Sequence, residues 1–193
     1  MQNIINSDPI LREHRVKIYL IKNVKTHPSL LEKYLTFYAS YGGVEYYGES
    51  IFIVDKTSIV VQELTPETLN QILDKSNKKI KEIDVLDCLE LYLMLKSIYS
   101  SEWYVIYGEP QIKKVNNLYI VKVHVVSGKN VRGGYPLSPN DPMLQKRKIL
   151  LNTYSIDLKG KVRLDSSTLV SELVNETLST FKISDYFVDR GDG

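Results

Sequence analysis

Eleven lysines and arginines fall between Gln111 and Leu164 against two acids, Asp141 and Asp157, a local balance of +9. Residues 1–110 stand at −3 and residues 165–193 at −4, so the net +2 of the 193-residue chain hides one basic zone and a more acidic remainder. Opposite fields on one molecule guide partners and self-association. The candidate contact residues are Lys113, Lys114, Lys129, Arg132, Lys146, Arg147, Lys148, Lys161 and Arg163. Arg132-Gly133-Gly134-Tyr135 sets a guanidinium, flexible backbone and an aromatic ring side by side, as single-stranded nucleic-acid binders do. Three readings fit the zone. It contacts nucleic acid in a salt-sensitive way, it meets an acidic patch on another subunit, or it is a solvated sheet edge whose lysines prevent edge-to-edge pairing.

Tyrosine is the second candidate chemistry. Tyr34, Tyr38, Tyr41, Tyr46 and Tyr47 fall within fourteen positions. Tyrosine gives large contact area with a polar tip, so Tyr38, Tyr41, Tyr46, Tyr47 and Tyr135 form a candidate aromatic interface. An amphipathic core edge explains the same cluster.

Chemistry of other kinds is thin. No phosphate-cradling loop or dinucleotide fingerprint occurs, and Gly42-Gly43 and Gly133-Gly134 lack the lysine or helix context. His14, His27 and His124 stand far apart with Cys88 alone to join them, which leaves no metal-ligand spacing. His124 shares a strand-face pattern with Lys122, so exposure or an interface suits it better than ligation. Cys88 lies in the apolar run Val85–Leu95 and reads as a small buried thiol. Glu45 with Glu49, and Asp84 with Asp87 and Glu90, are carboxylate pairs by type, but strand and helix-start positions make them solvated faces. We expect no cofactor, no metal and no catalytic centre.

The elements that must position these groups follow from periodicity. Residues 1–13 read as an arm, residues 14–183 as one α+β domain of mainly antiparallel sheet with about four helices, and residues 184–193 as a frayed acidic tail. Val16, Ile18 and Leu20 alternate as a strand. Pro28, Leu31, Tyr34, Leu35 and Tyr38 then give helical spacing up to Gly42-Gly43. Strands are expected at Val44–Val54 and Ser58–Glu63, followed by helices opened by Thr65-Pro66 and running from Asp84 to Tyr99. The first buries Leu69, Ile72 and Leu73; the second turns Leu86, Leu89 and Leu93 inward.

Further on, Trp103–Tyr107, Gln111–Val115 and Leu118–Val126 read as strands, with a hairpin turn at Asn116-Asn117. A loop, Gly128–Pro142, precedes strands at Lys148–Leu158 and Lys161–Leu164. Ser167–Phe181 reads as a final helix. The helix near 84–99 followed by consecutive strands is similar in order to cystatin-like folds, an analogy of fold alone.

Bulk properties narrow the setting. Hydrophobic content of 43% and charged content of 25% are those of a folded globular chain. A single cysteine, no apolar run of membrane-spanning length and a start, Met1–Asp8, without signal-peptide pattern point to a cytoplasmic protein and away from membrane partners. Ala39 is the one alanine, while isoleucine, lysine, tyrosine and asparagine abound. That usage points to an AT-rich genome, and low cysteine and glutamine lean towards a thermophile. A crenarchaeon, or a virus or plasmid of one, is the expected source.

In size, element order, residue usage and the opening Ser7-Asp8-Pro9-Ile10-Leu11, the whole chain resembles the Sulfolobales-specific seventh subunit of the Cmr-type (type III-B) CRISPR effector complex. The resemblance implies a non-catalytic homodimer that decorates an RNA-guided antiviral nucleoprotein, with itself and other subunits as partners. It carries no functional residue across. The alternative is an independent nucleic-acid-binding protein, of archaeal virus or host, using the basic segment 111–164.

Overall fold

The computed structural model describes residues 17–23, 31, 34–42, 47–58, 61–76, 78–100, 102–130 and 144–173. Their architecture is α+β, with two four-stranded antiparallel sheets, each wound in sequence order. The first sheet comprises β1 (Lys17–Asn23), β2 (Tyr34–Gly42), β3 (Tyr47–Asp55) and the short β4 (Val61–Glu63). The helices α1 (Pro66–Lys75) and α2 (Val85–Ile98) follow, with a 3-10 turn, Glu82–Asp84, between them. The second sheet is β5 (Glu102–Val115), β6 (Leu118–Asn130), β7 (Leu144–Asp157) and β8 (Val162–Leu173).

The start of α1 forms as its sequence dictates. Thr65 Oγ1 accepts the Thr68 N–H at 3.1 Å, and Pro66 occupies a first-turn position where its missing N–H is harmless. Ahead of α2, Asp84, expected on a solvated face, is instead buried, and its Oδ2 accepts the Lys81 N–H at 2.8 Å. Leu69 and Leu73 of α1 are buried with Ile72 packed beside them. In α2, Val85, Cys88, Leu89, Leu91, Leu93, Met94 and Leu95 are all buried. A helix apolar on so many sides needs cover on more than one. It has it, packing against β3 of the first sheet and β5, β7 and β8 of the second. Leu86, expected inward, is only half-buried. One cluster of buried side chains runs from Leu31, Ile51 and Ile53 through α2 to Val121, Val123, Tyr154 and Ile156.

Four expectations are corrected. The helical spacing of Leu31, Tyr34, Leu35 and Tyr38 is overridden: 34–42 is a strand that pairs along its whole length with β3. Aromatic and β-branched residues suit a pleated surface, and here the neighbouring strand decides. The final helix expected at Ser167–Phe181 is strand through Leu173, because Val162–Leu173 completes the second sheet beside β7. Its later part lies outside the described residues. The described residues therefore hold two α-helices rather than about four. Lastly, the loop expected from Gly128 opens later, since Gly128–Asn130 continue β6.

Trp103–Tyr107 and Gln111–Val115 are one strand broken by a bulge. Tyr107 faces His124 and Gln111 faces Lys122, so β5 spends four positions where β6 spends two. Gly108 sits in this bulge at φ +74. A Cβ built there meets no atom within 4 Å, so the backbone alone sets the penalty. Gly108→Ala is expected to lower the unfolding free energy by about 1–2 kcal/mol in urea titrations, the left-handed cost of an L residue. The hairpin turn at Asn116-Asn117 forms as expected, with Asn116 at φ 53.

The arm (1–13), the tail (184–193) and the segment Ser7–Leu11 lie outside the described residues.

Candidate functional site

Strand pairing separates the second sheet into two faces, because opposed residues share a face and alternate along each strand. Tyr119, Val121, Val123 and Val125 of β6 point with Ile106, Tyr154 and Ile156 into the cluster around α2. The opposite, outward face carries Ile120, Lys122 and His124. Three rows cross it: Lys113–Ile120–Ser155–Arg163, Gln111–Lys122–Thr153–Ser166 and Tyr107–His124–Leu151–Thr168. Lys113, Gln111, Lys122, His124 and Arg163 are exposed. Beyond the Tyr107 row the same face turns apolar and closed, with Val105 and Val126 at 1% and 0% exposure.

The basic zone is thus divided rather than gathered. Lys113 and Arg163 lie on the outward face, where Arg163 Nε bonds Asp165 Oδ1 at 2.8 Å. Lys114 belongs to the other face, its Nζ 5.3 Å from the Tyr119 ring centroid. Lys129 stands opposite Glu102. Lys146, Arg147 and Lys148 sit at the start of β7, Lys146 at φ 52 in the irregular pairing with β6. Lys129 lies nine positions along β6 from the Ile120 row, roughly 30 Å. Lys161 reaches α1, its Nζ 2.6 Å from Asp74 Oδ1, and this hydrogen bond holds the Asp74 carboxyl below its ordinary value. Arg132, Tyr135 and Tyr46 lie outside the described residues. Tyr38, Tyr41 and Tyr47 are strand residues of the first sheet, opposite Ile51, Gly48 and Gly42.

Lys122, His124 and Tyr107 were not among the candidate contact residues, yet the structure sets Lys122 diagonal to Lys113 and His124 opposite Tyr107. The strand parity of Lys122 and His124 was visible in the sequence. Their meeting with Tyr107 depends on the β5 bulge and was not.

A second polar group lies at the end of α2. Lys96 Nζ stands 4.1 Å from the Tyr104 ring centroid, and Tyr104 Oη and Ser127 Oγ both donate to Glu102 Oε2 at 3.3 and 3.0 Å. Burial pulls the Lys96 ammonium below its ordinary pKa, and burial followed by the charge of Glu102 raises that of Tyr104. Ser97 Oγ donates to the Leu93 carbonyl at 2.7 Å and accepts the Tyr104 N–H at 2.9 Å, tying helix to sheet. These groups satisfy one another, a structural joint.

Cys88 is 4% exposed, and burial, then the charges of Asp84, Asp87 and Asp157, push its thiol far above the ordinary value. A thiol so held is a poor nucleophile. Among the described residues no three His, Cys, Asp or Glu side chains are placed to hold a metal ion. No helix among them is long and apolar enough to cross a membrane.

The fold and these surfaces define an α+β protein with a helix between two antiparallel meanders and an exposed cationic face on the second. No family model, curated protein or solved structure matches the chain.

Proposed function

We propose that this chain is a non-catalytic, self-associating accessory protein of a larger ribonucleoprotein assembly, working as one α+β unit in the cytoplasm. A type III-B CRISPR effector complex is the assembly its sequence character points to. The observation that supports this reading most is the free flank of β8. Among the described residues this twelve-residue strand pairs with β7 on one side only. Ser166–Glu172 are exposed, and Leu169 and Val170 expose 52% and 53% of their surface.

Exposed strands that stay single are usually blunted by lysine or proline. Neither occurs between Leu164 and Leu173. Bulges at Asp165 and Val170 bend the flank, so the straight stretch Ser166–Leu169 is where a second strand aligns. A second copy brings the same serines, threonine and leucine to that edge, and a two-fold contact of this kind is self-complementary. A second reading, an independent nucleic-acid-binding protein, is favoured by one observation: Lys113 and Lys122 share an exposed face.

The test is the mass of the purified chain by light scattering, together with its companions after tagged recovery from the native cell. We expect a species at twice the 22.2 kDa chain mass or more, and co-recovery of other subunits with RNA. Leu169→Glu with Val170→Glu should shift the species towards monomer without lowering the melting temperature of the monomer. A single chain that stays monomeric at high concentration and brings down no companion defeats the reading.

A further inference from the structure

We infer that the outward face of the second sheet holds a binding site for single-stranded nucleic acid, centred on Lys113, Lys122, His124 and Tyr107. This inference does not rest on membership of any assembly. Lys122 and His124 are two positions apart on β6, about 7 Å, and Lys113 lies diagonally across on β5 at about 7–8 Å. The two lysines are therefore neighbours, and His124 continues their oblique line towards Tyr107. Lys113 and Lys122 have no ion-pair partner among the described residues. Two carboxylates lie near these rows: Asp165, held by Arg163 and by Ser155 Oγ, and exposed Glu109 in the β5 bulge. Lys113 and Lys122 give the line itself two positive charges.

At the end of this line stands an aromatic pair. The rings of Tyr107 and His124 meet edge to face, centroids 6.3 Å apart at 68°. His124 is exposed and Tyr107 half-buried, so ring surface remains for a base to cover. Gln111, Thr153 and Ser166 fill the neighbouring row with hydrogen-bonding side chains. Cations that follow a backbone, beside rings on which a base stacks, are the two parts of a single-strand site.

An acidic protein surface would use the cations and leave the rings idle. A duplex is excluded from stacking by its own base pairs. Both considerations favour an unpaired strand. The β5 bulge is what brings the parts together, since it returns Tyr107 to the row of His124 after Gln111 has met Lys122.

The experiment is fluorescence anisotropy of the full-length chain with oligouridylate and oligothymidylate of about fifteen nucleotides at low and moderate salt. We expect binding that weakens with salt at a log–log slope of about −1.4, roughly 0.7 for each of the two phosphates neutralised by Lys113 and Lys122. Lys113→Glu with Lys122→Glu should weaken binding roughly ten-fold or more and flatten the slope. Tyr107→Leu should weaken it roughly five-fold or more with the slope unchanged, the signature of lost stacking. Lys78→Glu with Lys79→Glu, exposed lysines between the helices, should change affinity less than two-fold or so. Lys113→Gln with Lys122→Gln provides the same test if charge reversal disturbs folding, which melting curves report. Tighter binding of oligouridylate assigns the site to RNA, and equal binding assigns it to single strands of either sugar. No binding at low salt, or equal losses from the outward and control pairs, overturns the inference. So does preference for duplex over single strands.

Discussion

Leu93→Ala should lower the unfolding free energy by about 2–5 kcal/mol, with a fall in melting temperature of roughly 5–20 °C. Leu93 is fully buried in α2, which packs against strands of both sheets. Removing three carbons there forfeits their transfer energy and leaves a cavity that cannot collapse, because neither sheet can move inward without parting from the helix's other buried residues. Ile83→Ala is the control. Ile83 lies one turn before the helix and is 82% exposed, so its loss should change stability by no more than about 0.5 kcal/mol. Urea unfolding of both variants decides the matter. A Leu93→Ala protein as stable as the parent would mean that α2 does not occupy the centre of the core.

Tyr154 supplies the second large effect. It is fully buried in β7, lies edge to face with Tyr92 at 6.1 Å, and its Oη accepts Nδ2 of buried Asn152 at 2.7 Å. Asn152 Oδ1 is buried with no hydrogen-bond partner among the described residues. Tyr154→Ala should lower stability by about 3–5 kcal/mol, the usual result of emptying a core aromatic site. Tyr154→Phe should lower it by about 1–3 kcal/mol, since the asparagine then has neither its oxygen nor its nitrogen paired. Asn152→Leu combined with Tyr154→Phe removes both polar groups together with the unpaired oxygen. The double variant should therefore be more stable than the two single losses summed, by about 1 kcal/mol or more. Additive losses would show that this hydrogen bond contributes nothing.

Local chemistry explains where the sequence could be read and where it could not. Thr65-Pro66, Asn116-Asn117 and the apolar run of α2 each act through their own residues, and each formed its expected element. The segment Tyr34–Gly42 fits two periods at once: Leu31, Tyr34, Leu35 and Tyr38 obey a helix, while Leu35, Phe37, Ala39 and Tyr41 alternate as a strand. Pairing with β3 breaks the tie, and no single segment encodes its partner. Ser166-Ser167-Thr168 misled in the same way, since hydroxyl residues that open helices also populate exposed strands. The outward site was half legible. Lys113, Lys122 and His124 declare their type and parity, but four register shifts in the second sheet decide which side chains become neighbours. For that reason charge density along the chain overstated how many cations meet.

Every strand in both sheets bonds to its immediate predecessor or successor along the chain. Among the described residues no strand is inserted between two earlier ones, and each pairing joins strands consecutive in the chain rather than distant halves of it. Such topologies place little loop entropy ahead of the first rewarded contacts, so this molecule should reach its native form quickly for a sheet-rich chain.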